Sequence, residues 1–202
     1  MIRDQRLQKQ IDFLLEADKI KNIFRRTYNS DQQRKENSAE HSWHLALLSL
    51  ILSEYSNVEI DKFRVMSMVI IHDLIEIDAG DTYVYDAEAN KTKAERERKA
   101  ADRIFGILPD DQRDMIRGLW EEFEEKKTPE AKFANVLDRL DPVLLNDIGG
   151  GLAWREHSVT RTQAMEIHQE DPTPGGETSS VLYQLKMDLL EKNIAEGNIL
   201  DE

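Results

Sequence analysis

The 202-residue chain contains no cysteine, and that absence removes disulfides, thiolate metal sites and thiol nucleophiles together. Any metal must be held through nitrogen and oxygen, and a chain without thiols suits a reducing compartment. No stretch approaches the roughly 18 uninterrupted apolar residues of a membrane span, and the Met1 to Arg6 terminus lacks the apolar run of a signal peptide. The expected setting is cytoplasmic, with no membrane partner. Basic charge is also in short supply: 27 Lys and Arg stand against 40 Asp and Glu, a net of −13. A phosphate-backbone binder normally presents a basic face, so duplex nucleic acid is excluded as an expected partner. No period-2 run of useful length and no internal repeat is visible, so the fold class is all-α.

What the chain does carry is helical periodicity, over a length that fits one domain, residues 1–202, with a single substantial core. Leu7, Ile11, Leu14 and Leu15 mark a helix over about Asp4 to Ile20, with Asp4 as its N-cap. The polar stretch Tyr28 to Asn37 reads as a surface loop, and Asn37 or Ser38 caps a second helix, about Ala39 to Tyr55. A third runs from about Asp61 to Ile77 and ends near Gly80. Lys91 to Leu108 and Asp110 to Glu125 are amphipathic and charged, with Pro109 between them; their acidic runs read as solvated faces. Thr128-Pro129 opens a further helix in the favoured cap and first-turn arrangement, which Pro142 is expected to kink. After Gly149-Gly150-Gly151 come a short helix near Thr160 to His168, a loop at Asp171 to Gly176 and a final helix near Ser179 to Glu196.

The stretch from Val65 to Ile77 is apolar nearly all round yet carries His72, Asp73 and Glu76. Burying unpartnered carboxylates costs several kcal/mol, and a bound cation would compensate them. On an α-helix, positions i, i+1 and i+4 form one patch, so two of the three can ligate while one stays free. His41 lies in the first turn of another apolar helix, and Asp138 and Asp141 are embedded in a third; spacing alone leaves those two competing for the last ligand position. Two imidazoles and two carboxylates form a nitrogen and oxygen set suited to Mn²⁺, Co²⁺, Fe²⁺, Ni²⁺ or Zn²⁺.

Glu36-Asn37-Ser38-Ala39-Glu40-His41-Ser42, His72-Asp73-Leu74-Ile75-Glu76, Gly80-Asp81 and Ala131 to Asp138 together resemble the HD-domain metal-dependent phosphohydrolase superfamily, in its small 5′-deoxynucleotidase-like branch. The resemblance covers about Arg26 to Leu145 and implies a single-domain HD-type helical bundle, with a core at about 26–145 and a C-terminal helical extension at about 152–202. It implies His41, His72, Asp73 and Asp138 as ligands of one divalent transition metal ion, Glu76 and Asp81 as catalytic carboxylates, and an Arg fifteen residues before His41, which falls on Arg26, as the phosphate contact; Arg25 is its neighbour. His44 and Asp141 take supporting positions in this pattern. The implied activity is hydrolysis of phosphomonoesters, nucleoside 5′-monophosphates above all. Nucleoside triphosphate or phosphodiester hydrolysis and a non-catalytic metal- or nucleotide-binding module are the alternatives. The branch has a Trp where this chain has Thr27, so deoxyribose selectivity does not carry over. Tyr83 and Tyr85 read as packing, and His157 and His168 have no assigned chemistry. Related proteins commonly pair through helices, so a homodimer and a monomer in which Trp154 and the last helix pack within one chain are both compatible with the pattern.

Overall fold

In the computed structural model, which describes residues 4–85, 87–169 and 175–201, Asp4 accepts hydrogen bonds from the amides of Arg6 and Leu7 and so starts α1 (Gln5–Ala17). A 3₁₀ turn leads into β1 (Phe24–Tyr28), which pairs antiparallel with β2 (Lys35–Asn37). This ribbon corrects the expectation of a plain surface loop from Tyr28 to Asn37. Its strands are short and polar, so the alternation that betrays a half-buried strand has nothing apolar to show.

The remaining elements are helical: α2 (Ser38–Leu52), α3 (Lys62–Ile71), α4 (Glu76–Ala79), α5 (Ala87–Phe105), α6 (Asp110–Glu125), α7 (Pro129–Ile148), α8 (Leu152–Glu156), α9 (Arg161–Gln169), α10 (Gly175–Thr178) and α11 (Ser180–Ala195). The short α8 and α10 were not expected. The loop foreseen at Asp171 to Gly176 lies mostly outside the described residues. The expected single helix from Asp61 to Ile77 is broken: α3 stops at Ile71, His72–Ile75 is a 3₁₀ turn and Glu76 starts α4. His72 supplies a local cause, because its ring Nδ1 lies 2.9 Å from the Val69 carbonyl, the acceptor a continued α-helix would offer to the Asp73 amide.

Fully buried Leu45 on α2, Val65 and Met68 on α3 and Phe133, Leu137 and Leu140 on α7 join these three helices in one core. Ile71, Leu74 and Ile75 pack on the other side against Ala101, Ile104 and Phe105 of α5. At roughly 1.5–3 kcal/mol for each large side chain buried, these two clusters hold the break at His72–Ile75 rigidly between them. Trp154 and Ala164 close a third cluster with Leu190 and Ile194 of α11 against Val143, so the C-terminal segments sit on the second half of α7. α7 runs through Pro142 as one element; the missing proline N–H leaves the Asp138 carbonyl without its usual helical donor.

Candidate metal centre

A reciprocal cap places His41. The Asn37 side chain accepts from the Glu40 amide at 3.0 Å while the Glu40 carboxylate accepts from the Asn37 amide at 3.2 Å. This fixes the first turn of α2, and His41, fully buried, projects from it into the junction of α2, α3 and α7. Its Nε2 lies 3.0 Å from Asp138 Oδ1. On the opposite side of the ring, Nδ1 lies 2.9 Å from Asp141 Oδ2, and the other oxygen of Asp141 is 2.7 Å from His44 Nδ1. His72 gives its Nδ1–H to the Val69 carbonyl, which fixes the tautomer with Nε2 as a free lone pair. That Nε2 is buried and has no hydrogen-bond partner of acceptable geometry, although Asp73 Oδ1 is 3.1 Å away and Asp138 Oδ1 3.7 Å. Ligand atoms of His41, His72 and Asp73 lie within 4.8 Å of one another.

Electrostatics around this cluster are severe. Burial and Arg25 push His41 down, yet hydrogen bonds to Asp138 and Asp141 carry its pKa up to about 10. Burial acts against ionised Asp138, but its hydrogen bond with His41 and the nearby His72 ring hold it well below the usual carboxyl range. Glu76 behaves oppositely. Burial, with Asp73 and Asp81 adding to it, outweighs Arg25 and the Ser38 hydroxyl and holds its carboxyl well above the ordinary range. Ser38 Oγ donates to Glu76 Oε2 at 2.7 Å. Asp81 is pushed up by burial, against the opposing pull of Arg25.

Arg25 reaches the cluster directly: Nη1 donates to Asp73 Oδ2 at 2.9 Å. Arg26, the residue picked by counting back from His41, lines the same cavity, but it is Arg25 whose guanidinium meets Asp73; the pairing of β1 is irregular between Phe24 and Tyr28, so the spacing count alone does not select between the two. The cavity, about 220 Å³, is bounded by Asp73, Glu76, Asp81 and Asp138 at its acidic end and by Tyr83, Tyr85, Trp154 and His168 further in. The Tyr83 ring lies 4.7 Å from that of His157 in a tilted contact and meets Tyr85 edge-on at 5.2 Å. These tyrosines, read from sequence as packing, therefore form cavity wall as well.

The HD domain sequence profile matches residues 17–178. The chain belongs to the HD domain family. Proteins named 5′-deoxynucleotidase HDDC2 are 32% identical in Danio rerio, over 55% of this chain and 54% of that protein, and 30% identical in Homo sapiens, over 55% and 53%. The match thus spans about half the length of these curated relatives. A crystal structure of a predicted metal-dependent phosphohydrolase from Magnetospirillum magnetotacticum MS-1 superposes with a TM-score of 0.89 at 41% identity, covering 97% of this chain and 99% of that one. A conserved hypothetical protein from Pyrococcus furiosus gives 0.60 at 25% identity, over 92% and 99%.

HD domain membership and the geometry concern the same side chains. The orphaned, buried Nε2 of His72, the Nε2 of His41 and the oxygens of Asp73 and Asp138 are a donor set that a divalent ion would satisfy, so the residues present fit such a group. Asp141, which competed with Asp138 on spacing, sits behind His41 and orients its ring. Among the described residues, no helix of this HD domain is long and apolar enough to cross a membrane.

Proposed function

We propose that the chain is a metal-dependent phosphomonoesterase that hydrolyses nucleoside 5′-monophosphates. The observation that carries this reading is the convergence of His41, His72, Asp73 and Asp138 beside a cavity whose wall includes Asp73, Asp138 and Glu76, with the Glu76 carboxyl held well above the ordinary range by burial. His41, His72, Asp73 and Asp138 are the proposed ligands of one divalent ion, with Mn²⁺, Co²⁺, Fe²⁺, Ni²⁺ and Zn²⁺ all suited to the donors. Bound there, the ion supplies Lewis acidity toward a phosphoryl oxygen and lowers the pKa of water. Arg25 binds and orients the phosphate through its guanidinium fork, with Arg26 at the rim as a further contact. Ser38 donates to Oε2 of Glu76, which leaves Oε1 as the oxygen from which a carboxyl proton passes to the leaving alkoxide oxygen as the P–O bond breaks. Asp81 orients the attacking water or the sugar hydroxyl.

Charge supports the substrate class. Arg25, Arg26, Lys93 and Arg139 line the cavity against Asp73, Glu76, Asp81 and Asp138. Four cations facing four acids leave no net attraction; a divalent ion and a neutral Glu76 turn the cavity positive and suit it to a phosphomonoester dianion. The aromatic wall of Tyr83, Tyr85 and Trp154 suits a nucleobase, and the resemblance to proteins named 5′-deoxynucleotidase points the same way. The lack of cysteine supports a cytoplasmic setting, and exposed Trp43, Leu47 and Ile51 at helical spacing on α2 support a homodimer, which light scattering tests.

Elemental analysis of the purified protein, followed by a phosphate-release screen over nucleotides and sugar phosphates with the metal found, tests the function. Inorganic phosphate from nucleoside monophosphates is the expected product. Pyrophosphate or triphosphate release would replace this reading with a different hydrolase, and no release from any substrate would end it.

A further inference from the structure

Most charges on α5 pair in solvent, as Glu88 does with Lys91 and Glu95 with Lys99. Lys93 and Glu97 depart from that pattern. One turn apart, they bring Nζ and Oε1 to 3.5 Å, and the Glu97 side chain is only 11% exposed against 42% for Lys93. A carboxylate drawn out of water needs a cation beside it: burial pushes Glu97 up to about 7, and Lys93 is the first of the groups that pull it back down. The flexible stem of Lys93 lines the cavity that Asp73 and Asp138 also line. Burial acts against its charge, yet Glu97, Glu124, Asp138 and Asp73 hold its pKa above the ordinary value, so it is a standing cation. Arg25 enters the same cavity from β1 and is already committed to Asp73. Lys93 comes from a different element, and its ion pair with Glu97 spans 3.5 Å, a distance long for a hydrogen bond.

A phosphoryl group presents three non-bridging oxygens, and a planar guanidinium fork satisfies two of them at most. We propose that Lys93 is a phosphate-binding residue of this cavity, taking a phosphoryl oxygen that Arg25 does not reach, and that Glu97 is the positioning residue that holds its ammonium at the cavity wall. This rests on the phosphomonoesterase reading for its catalytic meaning, but the binding it describes is measurable without turnover. When phosphate enters, the ammonium, which has three N–H donors, turns one of them to the incoming oxygen while Glu97 keeps its hold; no covalent bond changes.

Inorganic phosphate is titrated calorimetrically into the full-length, metal-loaded protein. Lys93→Met is expected to weaken phosphate binding about tenfold to a hundredfold, as for the loss of a charge-assisted hydrogen bond, with metal content and helical circular dichroism unchanged. Lys93→Gln should match it and Lys93→Arg should recover most of the loss. Glu97→Gln should weaken phosphate binding about threefold in the wild-type background and have no effect in the Lys93→Met background, because it acts only through the lysine. Wild-type phosphate affinity in both Lys93→Met and Lys93→Gln overturns the assignment; an effect of Glu97→Gln that persists without the lysine overturns the positioning role. If wild-type protein binds phosphate through Lys93 yet releases none from any phosphomonoester, the proposed activity fails while the binding site stands.

Discussion

Glu76 is biased toward keeping its proton by burial, with Asp73 and Asp81 adding to it, while a single hydroxyl, from Ser38, serves one of its oxygens. Glutamine preserves the shape and the Ser38 contact and removes only the titrating proton. Glu76→Gln is therefore expected to lower kcat for phosphomonoester hydrolysis by about 10²–10⁴-fold, the usual contribution of a positioned proton donor. Metal content by elemental analysis should not change, since His41, His72, Asp73 and Asp138 are untouched. Retained turnover would move the proton work to Asp81. His41→Ala is expected to behave oppositely: it removes a ligand and should lower metal content and activity together.

At the scale of elements, the capping box at Asn37 fixes both a helix start and a ligand. Asn37→Ala removes the side-chain acceptor for the Glu40 amide and is expected to cost about 1 kcal/mol, read as a lower urea midpoint at unchanged slope, whereas Asn37→Asp should stay near wild type. Gly80 ends α4 at φ +75° and ψ 151°, a region essentially closed to other residues. A Cβ there would touch nothing within 4 Å, so the cost of Gly80→Ala is backbone strain, about 1–3 kcal/mol, and its expected readout is a raised KM through displacement of neighbouring Asp81. The helices around the site were legible because α2 and α7 show helical periodicity and sequence-coded caps at Asn37 and Thr128, and because α3 is apolar nearly all round; its cap at Asp61 emerged only in the structure. His72 and Asp73 stood out because acids in an apolar segment demand compensation, whereas Asp138 rather than Asp141 followed from the resemblance, since spacing left the two competing. Two things were not legible. The 3₁₀ break at His72–Ile75 depends on a ring nitrogen taking a backbone carbonyl, which no periodicity encodes. The choice of Arg25 over Arg26 against Asp73 depends on the local path of a short, irregularly paired polar strand that no periodicity shows.

For the molecule as a whole, the cluster ties stability to metal and to pH. In chelated protein His41 has its pKa raised from 6.5 to about 10 by Asp138 and Asp141, which overcome burial and Arg25. A folded-state pKa above the unfolded one gives stability that is complete below about pH 6.5 and is lost as pH rises toward 10. Glu36, pushed up to about 7 chiefly by burial, adds a loss in the same direction between about pH 4.5 and 7. Asp141, held near 2 against burial by His41 and His44, contributes stability present above its unfolded value near 3.8 and lost as pH falls toward 2. The chelated protein is thus expected to be most stable in mildly acidic solution and to lose thermal stability steadily from pH 6.5 to 10. A divalent ion that takes the place of the proton on His41 reverses the dependence, since its ligands must be deprotonated and its affinity rises with pH. Bound at a hundred times its Kd, it adds about 2.7 kcal/mol. Thermal midpoints measured from pH 6 to 9.5, with chelator and with excess Mn²⁺, should therefore diverge as pH rises. Parallel curves would mean that the ion does not use His41, because only a ligand shared between proton and metal couples the two titrations.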